Sequence, residues 1–227
     1  MPLIQVTNLI KTFHDGNKET RVLKGINFSA ESGEWISIMG RSGAGKSTFM
    51  YQMSLLDDAT SGEIHLFGKD AHNMTADEKT TFRLNELGYV FQDYALLPDL
   101  TALENVAVPL MMQGRSKGEA YAKAKASLER VGLVHRLNNL PSQLSGGEQQ
   151  RTSIARALAH GPKILFADEP TANLDNESSR TVMKLFQEVH KQGQTIIMVT
   201  HEEEYSSLSE RIVLLDDGKI ISDKRVK

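Results

Sequence analysis

Apolar and polar residues alternate in LIQVTNL (Leu3–Leu9) and GINFSA (Gly25–Ala30), the period of two expected of a half-buried strand. The polar stretch HDGNKE (His14–Glu19) between them is turn chemistry, so an N-terminal antiparallel β layer is predicted. EWISIMG (Glu34–Gly40) is apolar at nearly every position and reads as a buried strand running into Gly40. After Lys46, the residues Phe49, Met53 and Leu56 recur at helical spacing. The order here is strand, glycine loop, helix. SGEIHLFGKD (Ser61–Asp70) reads as a short hairpin, and LGYVFQ (Leu87–Gln92) as a strand that ends on the polar pair Gln92 and Asp93.

From about Leu97 to Leu158 the strand signal stops. Helices are predicted over Ala102–Met112, over Lys117–Val131 with Ala120, Ala124, Leu128 and Val131 on one face, and from an opening at Ser145. Ser116 and Glu119 make a capping box at the start of the second helix. Residues 97–158 are therefore expected to form a helical subdomain. Strands return at ILFADEP (Ile164–Pro170), TIIMVTH (Thr195–His201) and RIVLLDDGKII (Arg211–Ile221), the last folded at a type I′ Asp217-Gly218 turn. Between the first two lies an amphipathic helix carrying Val182, Leu185, Phe186 and Val189 and closing near Gly193. Strands alternating with helices predict an α/β fold with a mostly parallel core sheet, as one domain over residues 1–227.

Composition narrows the function. The 227 residues carry 26 basic and 29 acidic side chains, a net charge of -3, with no long block of either sign. That argues against bulk electrostatic capture of nucleic acid, though it leaves room for a local basic patch. Without cysteine there is no disulfide, no thiolate catalysis and no cysteine metal site. MPLIQVTNLIKTF lacks the basic start and apolar core of a secretory signal. The longest nearly apolar runs, VAVPLMM and TIIMV, fall far short of the roughly 20 residues that span a bilayer. Any membrane role is expected to be borrowed from another chain.

GRSGAGKS (Gly40–Ser47) fits the pattern GxxxxGK[ST] between a predicted strand and a predicted helix. Glycines let backbone N–H groups converge on phosphate oxygens, and the helix N-terminus adds favourable partial charge. Lys46 neutralises the β- and γ-phosphates, and the Ser47 hydroxyl is placed to ligate Mg²⁺. ILFADE sets two carboxylates, Asp168 and Glu169, at the C-terminal end of a buried strand, where open α/β sheets bind ligands. Such a pair alone is ordinarily turn chemistry. Beside a phosphate loop, Asp168 suits Mg²⁺ and Glu169 suits a general base for water. His201 and Gln92 close two further strands and by themselves are weak signals. LSGGEQQR (Leu144–Arg151) combines a capping box, Ser145 with Glu148, and two glycines at a helix start. That is an anion site in a chain whose phosphate cradle is already complete. A phosphate from a second copy of the protein would resolve the redundancy.

Taken in order, these motifs resemble the ATP-binding subunits of ABC transporters across essentially the whole chain. The P-loop is Gly40–Ser47, Gln92 falls at the Q-loop glutamine, and Leu144–Gln149 at the signature motif LSGGEQ. Ile164–Asp168 is similar to the Walker B strand with Glu169 next, Thr171–Asp175 to the D-loop, and His201 to the switch histidine. LLDDATSGEI, FQDYALLPDLTALENVAVPL, QQRTSIARAL and DEPTANLD look more narrowly like the branch serving lipoprotein release, macrolide and peptide export, and cell-division complexes.

The resemblance implies a P-loop NTPase (RecA-like) core with an N-terminal antiparallel β subdomain and an inserted helical subdomain. It implies ATP and Mg²⁺. Phe13 would stack on adenine where the family usually has tyrosine, and Gly40, Arg41, Ser42, Gly43, Ala44, Gly45, Lys46, Ser47 and Thr48 would hold phosphates. Ser47, Gln92 and Asp168 would hold the metal, with Glu169 as base and His201 at the γ-phosphate. Ser145, Gly146, Gly147 and Asp175 would complete the site of a second protomer in a head-to-tail dimer. A separate integral-membrane permease would engage the groove around Gln92, placing the protein on the cytoplasmic face of the cell membrane. The alternative is a soluble ABC-type ATPase acting on nucleic acid or ribosomes, which the sequence disfavours because it lacks a heptad insertion and a second such domain.

Overall fold

The computed structural model describes residues 2–16 and 18–226, so Asn17 of the predicted turn lies outside the described residues. Along the chain run β1 (Ile4–Asp15), β2 (Lys18–Ala30), β3 (Trp35–Met39), α1 (Lys46–Met53), β4 (Ser61–Leu66), β5 (Lys69–Asp70), α2 (Ala76–Glu86) and β6 (Leu87–Val90). There follow α3 (Ala102–Met112), α4 (Lys117–Arg130), α5 (Gly146–Leu158), β7 (Ile164–Asp168), α6 (Asn176–Lys191), β8 (Thr195–Val199), α7 (Glu203–Ser206), β9 (Arg211–Asp216) and β10 (Lys219–Arg225). The fold is α/β. It divides into two compact units, residues 1–81 with 193–227, and residues 82–192.

In the first unit β1 is the middle of an antiparallel sheet of order β2-β1-β4-β5. Its alternation, buried Ile4 and Val6 against exposed Gln5 and Thr7, slips by one at Asn8, which takes a left-handed φ of 48°. The bulge returns Leu9 to the core side and is held by the Asn8 N–H donating to the Asn27 side chain at 2.9 Å. Phe67 and Gly68 turn β4 into β5 with φ of 51° and 76°, and Asp217 and Gly218 turn β9 into β10 with 42° and 72°, the paired positive values of a type I′ hairpin.

A second set of strands runs β10-β9-β3-β8, with β8 and β9 parallel to β3 on either side. Flanked on both edges, β3 buries nearly every residue, Trp35, Ile36 and Ile38 among them. Each large apolar side chain so buried contributes about 1.5–3 kcal/mol. On α1, Phe49 and Met53 are fully buried, and Phe28 meets the Phe49 ring edge-on at 5.5 Å. Leu56 does not continue this face: the helix ends at Met53, and Leu56 lies past the turn, 43% exposed.

In the second unit β6 and β7 pair in parallel from Leu87↔Ile164 to Val90↔Ala167. Helices α3, α4 and α5 each open on a capping box, formed by Thr101 with Glu104, Ser116 with Glu119, and Ser145 with Glu148. Ala102, Val106 and Leu110 of α3 and Ala120, Ala124 and Leu128 of α4 form buried stripes, and the alanines allow close backbone approach. Asn105, fully buried in α3, donates to the carbonyls of Leu97, Leu100 and Thr101 and accepts from the Leu97 N–H at 2.8 Å, tying the preceding loop to the helix.

Two further expectations need correction, and one helix was not foreseen. β6 ends at Val90, so Gln92 and Asp93 sit in the following turn. β8 ends at Val199, so His201 is two residues beyond it. The helix α2 has no counterpart in the periodicity, because of its residues only Phe82 is buried. Its signal is local: the Thr75 hydroxyl and Glu78 carboxylate form another cap, at 2.8 to 3.2 Å.

Candidate functional site

The first unit carries the phosphate loop. Met39 ends β3, and the chain turns through Gly40 at φ 153° and Gly45 at φ 97°. Glycine is required at Gly40 on two counts, since a Cβ there would stand 2.1 Å from the Leu215 carbonyl oxygen. The loop is braced by the Ala44 N–H donating to the Arg41 carbonyl, and by the hairpin turn of β9 and β10, whose Gly218 N–H donates to the Ala44 carbonyl, each at 3.1 Å. Arg41, Ser42 and Gly43 are exposed, Ser47 and Thr48 half-buried.

Lys46 opens α1 and is only 7% exposed, with its ammonium donating to the Arg41 carbonyl oxygen at 3.1 Å. A buried ammonium met by a carbonyl dipole still favours a full negative charge close by. Loop and lysine therefore fit a polyphosphate. On β1, Phe13 is 44% exposed, with the Lys11 ammonium 4.8 Å from its ring centroid. One cation against an open aromatic ring leaves a surface on which a base can stack.

His201 joins this half by topology. β3 and β8 pair with Ile38 opposite Val199, so Gly40 and His201, each two residues further on, emerge at one sheet edge. His201 is exposed in the loop there.

The second unit repeats the arrangement. Val90 pairs with Ala167, so Gln92, Asp168 and Glu169 come out at the shared C-terminal edge of β6 and β7. Asp168 is the last residue of β7 and is 4% exposed, while Gln92 is exposed. Glu169 adopts a left-handed φ of 42°, a strain on the order of 1–3 kcal/mol for a non-glycine residue. Hydrogen bonds within the turn hold it: the Ala172 N–H donates to the Glu169 carbonyl and the Leu174 N–H to the Thr171 carbonyl, each at 3.1 Å. Within the second unit, Gln92 and Asp168 offer oxygen donors of the hard kind that Mg²⁺ takes, and in the first the Ser47 hydroxyl is another such donor.

At the start of α5, the Glu148 N–H donates to the Ser145 hydroxyl at 3.3 Å, and the Ser145 N–H donates back to the Glu148 carboxylate at 2.8 Å. Burial pulls the Glu148 carboxyl up, but the Ser145 N–H and the Arg136 guanidinium, at 2.8 Å, outweigh it and hold the group below the usual carboxylate range. The glycines here answer to the chain's own packing as well. A Cβ on Gly147 would lie 2.6 Å from the Ser178 hydroxyl oxygen and 2.9 Å from Ser178 Cβ, and one on Gly146 would lie 3.0 Å from the Tyr94 hydroxyl oxygen. Asp175 caps α6, accepting from the Ser178 N–H at 2.9 Å and the Ser178 hydroxyl at 2.8 Å, and these bonds lower its carboxyl from the usual range.

Four residues of this half were not foreseen. Gln150 is fully buried and donates to the Pro170 carbonyl at 2.7 Å, next to Glu169. Arg156 donates to the carbonyls of Ala95 at 2.6 Å and Tyr94 at 2.9 Å. Asn173 donates from its amide to the Gln92 carbonyl at 3.0 Å, and the Tyr94 hydroxyl donates to the Asn173 carbonyl at 3.2 Å. Gln150 was open to discovery, since it shares the inward stripe of α5 with Ile154 and Ala157, and a polar side chain there must find a partner. The loop contacts had no such signal. Beside them, Leu84, Phe91, Ala95, Val108, Pro109 and His160 line a groove of about 270 Å³.

A glycine loop leading from a parallel strand into a helix, a buried lysine at its end, and acidic residues at the tip of another parallel strand define a P-loop NTPase. The chain belongs to the ABC transporter family, whose model matches residues 23–172, and it is an ATP-binding, ATP-hydrolysing component of that family. It is 47% identical over 219 residues to an uncharacterized ABC transporter ATP-binding protein of Methanocaldococcus jannaschii, covering 96% of this chain and 98% of the relative. It is 45% identical to the macrolide export ATP-binding/permease protein MacB of Agrobacterium fabrum and 46% identical to that of Brucella melitensis, covering 99% and 98% of this chain. It spans only 35% and 34% of those two proteins' length. Among solved structures, a dimeric ATP-binding cassette in a post-hydrolysis state bound to ADP and Pi superposes with a TM-score of 0.93 at 37% identity, covering 99% of each chain. A dimeric structure described as a bacterial ABC transporter cassette gives the same TM-score at 38% identity.

Proposed function

We propose that the chain, as a single ATP-binding domain with a helical subdomain over about 97–158, works as a head-to-tail homodimer that hydrolyses ATP to drive a separate integral-membrane permease. The work done is export, lipoprotein release or mechanical signalling across the membrane. The observation that carries this reading is the pairing of a complete phosphate loop at Gly40–Ser47 with a second capped glycine helix start at Ser145–Gly147. The dimeric state of the two solved relatives supports it.

In this reading Lys46 and the amides of residues 40–48 hold the phosphates, and Phe13 stacks on adenine. Ser47, Gln92 and Asp168 hold Mg²⁺, which when bound neutralises phosphate charge. Glu169 takes the proton of the attacking water, and His201 donates toward the γ-phosphate. Ser145, Gly146 and Gly147 offer hydroxyl and N–H donors to the phosphate held by the other protomer, with Asp175 beside them at the dimer seam. Prealigned donors around a developing charge supply most of the rate.

The groove lined by Phe91, Ala95 and Pro109 is the proposed seat of the membrane subunit, next to Gln92. No helix among the described residues is long and apolar enough to cross a membrane, so attachment to the cytoplasmic face would come through that partner. Macrolide export is an activity of the MacB relatives; the cargo here would be set by the permease.

Glu169→Gln protein should bind Mg-ATP without turnover and elute as a dimer in size-exclusion chromatography, because closure precedes hydrolysis. A strictly monomeric profile at saturating Mg-ATP would rule out the two-protomer site.

A further inference from the structure

The loop after Gln92 and the loop after Glu169 are joined by two hydrogen bonds of opposite sense. The Asn173 side-chain amide donates to the backbone carbonyl of Gln92 at 3.0 Å, and the Tyr94 hydroxyl donates to the backbone carbonyl of Asn173 at 3.2 Å. Each loop thus lends a side chain to the other's main chain. Neither loop is free to adjust locally. Tyr94 and Ala95 both hold left-handed φ, 66° and 46°, and Arg156 fixes both of their carbonyls. On the other side, the turn bonds of Ala172 and Leu174 tie Asn173 to Glu169, and Gln150 grips the intervening Pro170 carbonyl.

We infer that Tyr94 and Asn173 form a reciprocal clasp that positions Gln92 relative to Glu169, so that the two loops move as one body. The inference rests on the catalytic roles proposed above for Gln92 and Glu169. Tyr94 and Asn173 touch neither substrate nor metal in this scheme and are positioning residues. Burial raises the Tyr94 hydroxyl above its ordinary range. A Cβ at position 146 would come 3.0 Å from the Tyr94 hydroxyl oxygen, so the glycine there also leaves room for the clasp. Gly146 opens the helix offered to the second protomer, and Ala95 lines the groove assigned to the membrane subunit. A push at either place would reach the water-activating carboxylate through the clasp, with no metal or nucleotide in the path.

The test compares wild type, Tyr94→Phe, Asn173→Ala and the double variant. Asn173 is exposed and the phenylalanine keeps the ring, so folding should survive in all three. Amide hydrogen exchange is read across 92–95 and 169–174, and steady-state ATP hydrolysis alongside it. The clasp predicts that Tyr94→Phe loosens the distant 169–174 segment, and that Asn173→Ala loosens 92–95. It predicts that kcat falls roughly 3- to 10-fold in each single variant, the scale of one hydrogen bond, with KM for ATP within about twofold of wild type. The double variant should be no worse than the more damaged single, because each bond depends on the other's loop being in place. Exchange changes confined to the substituted loop would overturn the clasp. So would losses in kcat that multiply in the double variant, or a kcat left at the wild-type value while the loops loosen. The exchange arm needs no turnover: a wild type unable to hydrolyse ATP would sink the proposed function instead.

Discussion

Gly147 offers the sharpest quantitative test of the packing beneath the signature helix. In Gly147→Ala the new Cβ meets Ser178 twice, at 2.6 Å from Oγ and 2.9 Å from Cβ. Rotating Ser178 about χ1 moves the hydroxyl away but leaves its Cβ where it is. Rotation also breaks the 2.8 Å bond from the hydroxyl to the Asp175 carboxylate, part of the cap of α6. Overpacking of this kind costs about 1–3 kcal/mol, and impairing the cap adds up to about 1 kcal/mol. Alanine's better helix propensity offsets no more than about 1 kcal/mol. The net loss is then about 1–3 kcal/mol, a fall in Tm of roughly 3–9 °C for a chain of this size. The assay is urea and thermal unfolding followed by circular dichroism, without nucleotide, in a four-protein cycle with Ser178→Gly. Removing the Ser178 side chain should relieve most of the Gly147→Ala penalty, giving a favourable coupling of about 1–2 kcal/mol between the two changes. If Gly147→Ala proved as stable as wild type, or its loss simply added to that of Ser178→Gly, the account of this glycine would be refuted.

Lys46→Ala should abolish ATP binding measured by fluorescent-nucleotide titration, with the fold retained by circular dichroism; unchanged affinity would break the phosphate-loop assignment. Asn105→Ala should lower stability by about 2–4 kcal/mol in urea unfolding, since it strips buried partners from the Leu97, Leu100 and Thr101 backbone; a loss below about 0.5 kcal/mol would contradict that role. Glu78, Glu104 and Glu119 are held below the ordinary glutamate value of 4.5, mainly by hydrogen bonds from their cap residues, and Glu148 is lowered by its cap and Arg136 against burial. Their folded pKa values lie below the unfolded ones, so their stabilisation is present above the unfolded value and is lost as pH falls through the folded values. Thermal unfolding from pH 7 to pH 3 should show Tm dropping below about pH 4.5, and replacing the four with glutamine should flatten that drop; an unaltered acid slope would count against it.

How far the chain could be read follows from what local patterning encodes. The start of α4 at Lys117 was legible to the residue, because the Ser116–Glu119 cap and the apolar stripe of Ala120, Ala124 and Leu128 are written in neighbouring positions. The type I′ turn at Asp217-Gly218 was legible for the same reason, since Asp-Gly has few other uses between apolar runs. Strand ends were not. Gln92 and His201 stand two residues past the strands assigned to them, because a ladder stops where its neighbour stops, and the neighbours of β6 and β8 lie far away in sequence. α2 escaped because a mostly exposed helix has no stripe to detect.

By itself, the sequence determined that a phosphate loop follows a buried strand and that a second anion-ready helix start exists, since both depend on residue types within a few positions of one another. Sequence topology pointed these strand ends to a ligand-binding edge, but only the tertiary structure decided which strands pair there, setting Gly40 beside His201 and Gln92 beside Glu169, because strand order and register are matters of long-range pairing. It alone disclosed that Gly147 is pressed by Ser178 and that Tyr94 and Asn173 grip each other's loops. Contacts between segments some eighty residues apart, as from Gln92 to Asn173, leave no period and no motif in either segment, so nothing short of the folded chain could reveal them.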